Sequence, residues 1–267
     1  MSVRKARQVL IGIALGTALA LGAVTGALYL AQRSLIYPAP QHFAAIPAGY
    51  RQITLQTADG LDLTAVYSPP RLGQRVVVFF HGNGDGWEGA AAANRLIAAA
   101  GFGVLLVEYR GYGGNPGQPG EAGFYADGRA ALSWLAAQRV AMDHIVLVGN
   151  SIGSGTATEL ARTTHPAGLV LISAFTSLPA VVGEKVPWLP IRWLVHDKYD
   201  NQRKLGSVTA PTLLLHGTGD TMIGPSHAEA LQAAQPRARL VLVPEYGHEL
   251  AYQDVSQRIE LAWLQGL

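Results

Sequence analysis

From residue 75 onward, short runs that are apolar at every position alternate with longer stretches of helical composition. The apolar runs cover 75–80, 104–108, 145–148, 169–173, 212–215 and 240–243. The helical stretches cover 88–100, 121–139, 153–162, 226–235 and 253–264. A strand apolar on both sides must be covered on both sides, so the pattern predicts an α/β fold with a mostly parallel sheet and helices on both faces. Upstream, 52–57 and 61–68 alternate apolar and polar positions around Ala58-Asp59-Gly60, which predicts an N-terminal antiparallel hairpin. A longer interruption at 174–210, containing Trp188 and Trp193, is either a small cap or ordinary helical packing.

The first thirty residues follow a different rule. Arg4, Lys5 and Arg7 precede an uncharged, mostly apolar run over 9–31, closed by Gln32-Arg33. A bilayer-spanning helix needs about 20 residues, and this run supplies them. A cleaved signal peptide ending near Ala18-Leu19-Ala20 is the alternative, but apolar sequence continues to Leu30. The expected organisation is an N-terminal anchor over 1–33, an extended linker over 34–49 with Pro38, Pro40 and Pro47, and one domain over 50–267. Basic residues before the run outnumber Arg33 after it, which puts the N-terminus in the cytoplasm and the domain outside it.

Composition narrows the chemistry. A net charge of +2 with no basic cluster beyond the N-terminus gives no footprint for nucleic acid. The absence of cysteine excludes disulfides, thiolate metal sites and a cysteine nucleophile.

In a parallel sheet, ligands collect beyond the carboxyl ends of the strands, so the loops after the apolar runs carry the candidate chemistry. Gly149-Asn150-Ser151-Ile152-Gly153 sits between a strand and a helix, the setting of a nucleophile elbow. His81-Gly82-Asn83-Gly84-Asp85-Gly86 follows another strand, and such a loop leaves backbone N–H groups free to form an oxyanion hole. Asn83 and Ile152, the residue after the serine, are the expected donors. Asp220 and His248 follow two later strands. The chain order Ser151, Asp220, His248 is that of an α/β-hydrolase triad. His248 would take the serine proton and Asp220 would orient the imidazole, with Asp197, Asp200 and Glu245 as substitute acids.

A competing motif is present. Gly84-Asp85-Gly86-Trp87-Glu88-Gly89 matches the dinucleotide fingerprint, with Glu108 ending the next strand. However, three residues separate it from the strand, and it leaves Ser151, Asp220 and His248 without a role. Arg110 is expected to brace its own loop, Asp127 to be a local hydrogen-bonding partner, and Ser154 and Gly155 to be packing residues.

With these residues in place, the chain resembles the α/β-hydrolase superfamily. More narrowly, it is similar to membrane-anchored members related to acyl-protein thioesterases and monoacylglycerol lipases. The matching residues are His81-Gly82-Asn83, Tyr109 to Gly113, Gly149 to Gly153, Ser173 to Ser177, His216 to Asp220 and Gly247-His248. The resemblance implies the α/β-hydrolase fold, serine esterase or thioesterase activity, and no cofactor. Relatives usually carry Asn-Ala-Gly where this chain has Asn83-Gly84-Asp85.

The expected activity is cleavage of an ester or thioester, with small-molecule or lipidic acyl substrates and a bilayer as partners. A peptidase of the same fold, a dinucleotide-dependent oxidoreductase and a non-catalytic anchored module are the alternatives.

Overall fold

A computed structural model of the chain describes residues 3–189 and 191–267. Its centre is an eight-stranded sheet in the order β1-β2-β4-β3-β5-β6-β7-β8. The strands are β1 (Arg51–Gln56), β2 (Asp62–Ser68), β3 (Val76–Phe80), β4 (Gly103–Val107), β5 (Ile145–Asn150), β6 (Gly168–Ile172), β7 (Thr212–Gly217) and β8 (Arg239–Val243). β1 pairs antiparallel with β2, and β2 with β4; every other pairing is parallel. The expected hairpin is therefore the sheet's antiparallel edge.

The apolar runs of β3 to β7 are buried on both sides, as their composition requires, while that of the edge strand β8 is only half-buried. In β3, Val76, Val78 and Phe80 point into one core layer, while Val77 and Phe79 point into the other. The first layer is completed by Phe124 and Leu135 of α4 (Glu121–Ala137) and Leu160 of α5 (Gly153–Thr164). Leu205 of α8 (Asn201–Leu205) and Leu231 of α9 (Ser226–Ala234) extend it. The second layer takes Trp87 of α2 (Trp87–Ala93), Ile97 of α3 (Arg95–Ala99) and Leu264 of α10 (Asp254–Gln265).

One expected helix is split. The stretch 88–100 breaks at Asn94, whose backbone leaves the helical region (φ −111°, ψ 12°). The buried Asn94 amide donates to the Ala90 carbonyl at 2.8 Å, the local competition with the backbone that makes asparagine a poor helix interior residue.

The N-terminal segment departs more. Helix α1 runs Val3–Ile36, and its apolar part, Leu10–Ile36, has a mean hydropathy of 1.9 and none of it is buried. At 1.5 Å per residue its 27 residues reach about 40 Å, long enough to cross a bilayer. The helix passes through Gln32-Arg33 because both are used by the domain. Gln32 accepts a hydrogen bond from the His196 N–H (2.9 Å), and Arg33 donates to the Pro119 carbonyl (3.2 Å).

The following stretch is not a free extended linker. Tyr37 is buried against Phe124, Phe43 stacks on Trp87 (centroids 4.7 Å apart), and the Gly113 N–H donates to the Pro40 carbonyl (2.7 Å). The aromatic side chains of this stretch find apolar surface on the domain, and those contacts outweigh the extended bias of the prolines.

Between β6 and β7 lie α6 (Leu178–Lys185), α7 (Ile191–Leu194) and α8. α6 and the segment after it lie beside the end of α1, forming a small helical cover at the sheet's carboxyl edge.

Candidate functional site

The chain crosses to the other side of the sheet between β3 and β5: β4 lies on one flank of β3 and β5 on the other. At that switch point, Phe80 is in register with Gly149. The glycine-rich loop after β3 and the turn after β5 therefore emerge side by side. Ser151 heads this turn with φ +51°, a left-handed conformation that costs a non-glycine residue energy and is held here by its surroundings. Its N–H donates to the Ile172 carbonyl (2.9 Å). The flanking glycines are required by contact. A Cβ on Gly149 would come within 2.6 Å of the Gly153 carbonyl oxygen, and one on Gly153 would run into the Phe80 carbonyl oxygen.

His248 and Asp220 arrive on two interlocked loops. The Gly219 N–H donates to the Tyr246 carbonyl (2.9 Å) and the Thr218 N–H to that of Val243 (3.0 Å). The Glu245 N–H in turn donates to the Thr218 hydroxyl (3.1 Å). This lacing sets Asp220 beside His248. His248 Nδ1 lies 2.8 Å from Asp220 Oδ2, and His248 Nε2 lies 3.0 Å from Ser151 Oγ. A carboxylate can only accept, so Nδ1 carries the proton and Nε2 accepts from the serine hydroxyl.

Asp220 is buried, and its other oxygen accepts the N–H groups of Met222 and Ile223, both at 2.9 Å. Burial by itself would raise this carboxyl, but the hydrogen bonds from His248 and the Ile223 N–H hold it below the usual carboxylate range. Asp220 thus stays ionised at neutral pH. Neighbouring His216 is buried and has its pKa lowered by desolvation; its Nε2 donates to the Ile223 carbonyl (2.8 Å).

Ser151 and His248 open into a cavity of about 570 Å³. Asn83 and Ile152 both line it, and none of the hydrogen bonds among the described residues uses either backbone N–H. The glycine loop is fixed from beneath. Glu108 accepts the Trp87 N–H (2.8 Å) and faces His81 Nε2 at 3.5 Å. Burial alone would lower the His81 imidazole; the Glu108 carboxylate raises it. Asp85 accepts the Tyr252 hydroxyl at 2.7 Å.

The structure also places the remaining expected residues. Glu108, the acid of the dinucleotide reading, is buried and occupied by this loop. The substitute acids lie elsewhere: Asp197 binds Tyr37, Asp200 caps α8 through the Arg203 N–H, and Glu245 is exposed. Arg110 donates to Asp127 (2.8 Å) and Asp59 (2.6 Å), bracing its loop against the hairpin turn. Ser154 accepts from Asn201, and Gly155 leaves room for the Tyr199 ring. Among the described residues, no cluster of three or more acidic or histidine side chains could hold a metal ion.

Several cavity residues escaped the sequence reading. Tyr252 follows His248 by four residues on one short helical turn, a spacing that would have exposed it. Leu35 and Ile36 of α1 and Val181 and Val182 of α6 also line the cavity. Their apolar character was visible, but nothing local says which distant loop they face.

Residues 73–198 match the family model described as "Serine aminopeptidase, S33" (Hydrolase_4). A Mycobacterium tuberculosis protein, MT2364, is 38% identical over 258 residues, covering 93% of this chain and 90% of that relative. The chain belongs to the α/β-hydrolase superfamily. Its fold is shared with the Pyrococcus furiosus esterase Pf2001, at a TM-score of 0.66 and 16% identity over 85% of this chain and 96% of that one. It is also shared with a structure described as a membrane phospholipase A, a bacterial virulence factor, at a TM-score of 0.62 and 19% identity over 97% and 98% of the two chains.

Proposed function

We propose that this α/β-hydrolase is a membrane-anchored serine hydrolase that cleaves carboxylic esters or thioesters through an acyl-enzyme. The observation that carries the reading is the unbroken chain of hydrogen bonds from Asp220 through His248 to Ser151, opening on a cavity. Ser151 Oγ attacks the acyl carbon as its proton passes to His248 Nε2. The bond to the leaving oxygen or sulfur then breaks, and His248 returns the proton to it. Water repeats the sequence, and the acyl group leaves as the free acid. The backbone N–H groups of Asn83 and Ile152 hold the oxyanion, and Asp220 keeps the imidazole oriented and stabilises its charged form.

The length and exposure of α1 support an anchor, and the positive residues before it favour a cytoplasmic N-terminus with the hydrolase domain on the other side. Protease added to intact cells should digest the domain only if it lies outside; full protection would reverse the orientation.

One second reading has its own support. The matched family model is described as a serine aminopeptidase, and Glu249 gives the cavity an acid that could hold a substrate amine. Matched ester, thioester and aminoacyl-anilide substrates separate the two. The proposal expects ester and thioester turnover, lowered at least about 10³-fold in Ser151→Ala and in His248→Ala. Anilide turnover exceeding that of both acyl esters would favour the peptidase.

A further inference from the structure

Beside the catalytic cavity lies a second recess of about 350 Å³. One wall is the last third of α1, including Leu28 and Ile36. The other is α6 and the segment after it, including Val182, Val186 and Leu189. Among the described residues, Lys185 is the charged one in its lining and donates to the Thr221 carbonyl, and no acidic side chain lines it. The two recesses adjoin, with Leu35, Ile36, Val181, Val182 and Met222 lining both, and joined across these side chains they make one path toward Ser151.

Resting on the serine-hydrolase reading, we infer that this path holds one long fatty acyl chain of a membrane lipid ester, with its ester carbonyl at Ser151. Three observations point to that occupant. The recess beyond the catalytic cavity is lined mostly by aliphatic side chains, which suits a hydrocarbon tail. The catalytic cavity at its inner end carries the polar groups, which suits the ester head. Most distinctively, one wall belongs to the same apolar helix that is long enough to span a bilayer. A chain leaving the hydrocarbon layer would follow the apolar wall of α1 toward the serine. Trp188 and Trp193, 56% and 80% exposed in the cover segment, are of the residue type that favours a membrane–water interface. The anchor is thus also part of the substrate site.

The experiment uses the full chain in detergent micelles with p-nitrophenyl esters graded from butyrate to palmitate. Val186→Trp and Leu28→Trp each fill the path from an opposite wall. Variant-to-wild-type ratios of kcat/KM at each length cancel the partitioning of the ester into micelles. Each methylene held in the path is worth up to about fourfold in kcat/KM, so both variants should fall progressively further behind wild type as the chain lengthens. Fluorophosphonate labelling of each protein reports separately on Ser151. Labelled variants whose ratios stay flat from butyrate to palmitate would overturn the acyl path and leave the serine hydrolase standing. Wild-type protein that neither labels nor hydrolyses butyrate would overturn both.

Discussion

The Tyr37 hydroxyl donates to Asp197 Oδ2 at 2.5 Å, joining the residue after α1 to the loop that follows α7. Both side chains are buried. Burial first, and Asp197 next, push the Tyr37 phenol far above its ordinary range, so it remains a donor at any physiological pH. Tyr37→Phe strips one partner from a buried carboxylate. We expect a loss of about 1–3 kcal/mol in global stability, read from the denaturant midpoint. An unchanged midpoint would mean that α1 is not fastened to the cover through this bond.

The elbow makes a prediction about size alone. Gly153→Ala drives a methyl into the Phe80 carbonyl, which sits in the central strand and cannot yield. The variant should be destabilised by more than about 3 kcal/mol or fail to accumulate as folded protein. Gly183→Ala is the matched control: it lies inside α6 with nothing within 4 Å of the added carbon. It should gain about 0.5–1 kcal/mol.

These contrasts also show what could be read in advance. The strands around the site declared themselves because Val76 to Phe80 and Ile145 to Val148 are apolar at every position, which only a doubly covered sheet tolerates. Ser151 was picked out by its place after β5, and Asp220 and His248 by theirs after β7 and β8. The path of residues 34–48 was not. Tyr37 is buried beside Asp197 and Phe43 stacks on Trp87, partners far along the chain, and no local pattern names a distant partner. The break at Asn94 was missed for a similar reason: the stretch around it has helical composition, and the side-chain bond that ends α2 is a matter of three-dimensional competition.

The acid of the site has a specific signature. Asp220→Asn keeps the size of the side chain and an oxygen for the N–H groups of Met222 and Ile223, but it no longer fixes the His248 tautomer. Turnover should fall about 10⁴-fold in kcat with little change in KM. A loss of less than tenfold would remove Asp220 from the proposed triad.

Glu260 offers a pH test away from the site. It is fully buried on α10, one of its oxygens has no partner, and burial raises its carboxyl to about 8. From about pH 4.5 upward the unfolded chain releases this proton while the folded one keeps it until about pH 8, so rising pH favours unfolding across that window. Stability from this group is thus fully present below pH 4.5 and lost by pH 8. Glu260→Gln abolishes the titration. Its stability relative to wild type should improve by a few kcal/mol between about pH 5 and 8, measured by denaturant unfolding. A constant difference across that range would show that Glu260 does not carry the proton in the folded state.

The central claim, that Ser151 is an activated nucleophile, is tested most directly by covalent labelling. Full-length protein in detergent is treated with a fluorophosphonate probe, and the modified peptide is identified by mass spectrometry. The account predicts a phosphonyl adduct on Ser151, absent in Ser151→Ala and formed far more slowly in His248→Ala. An unlabelled wild type, or an alanine variant labelled to the same extent, would contradict it.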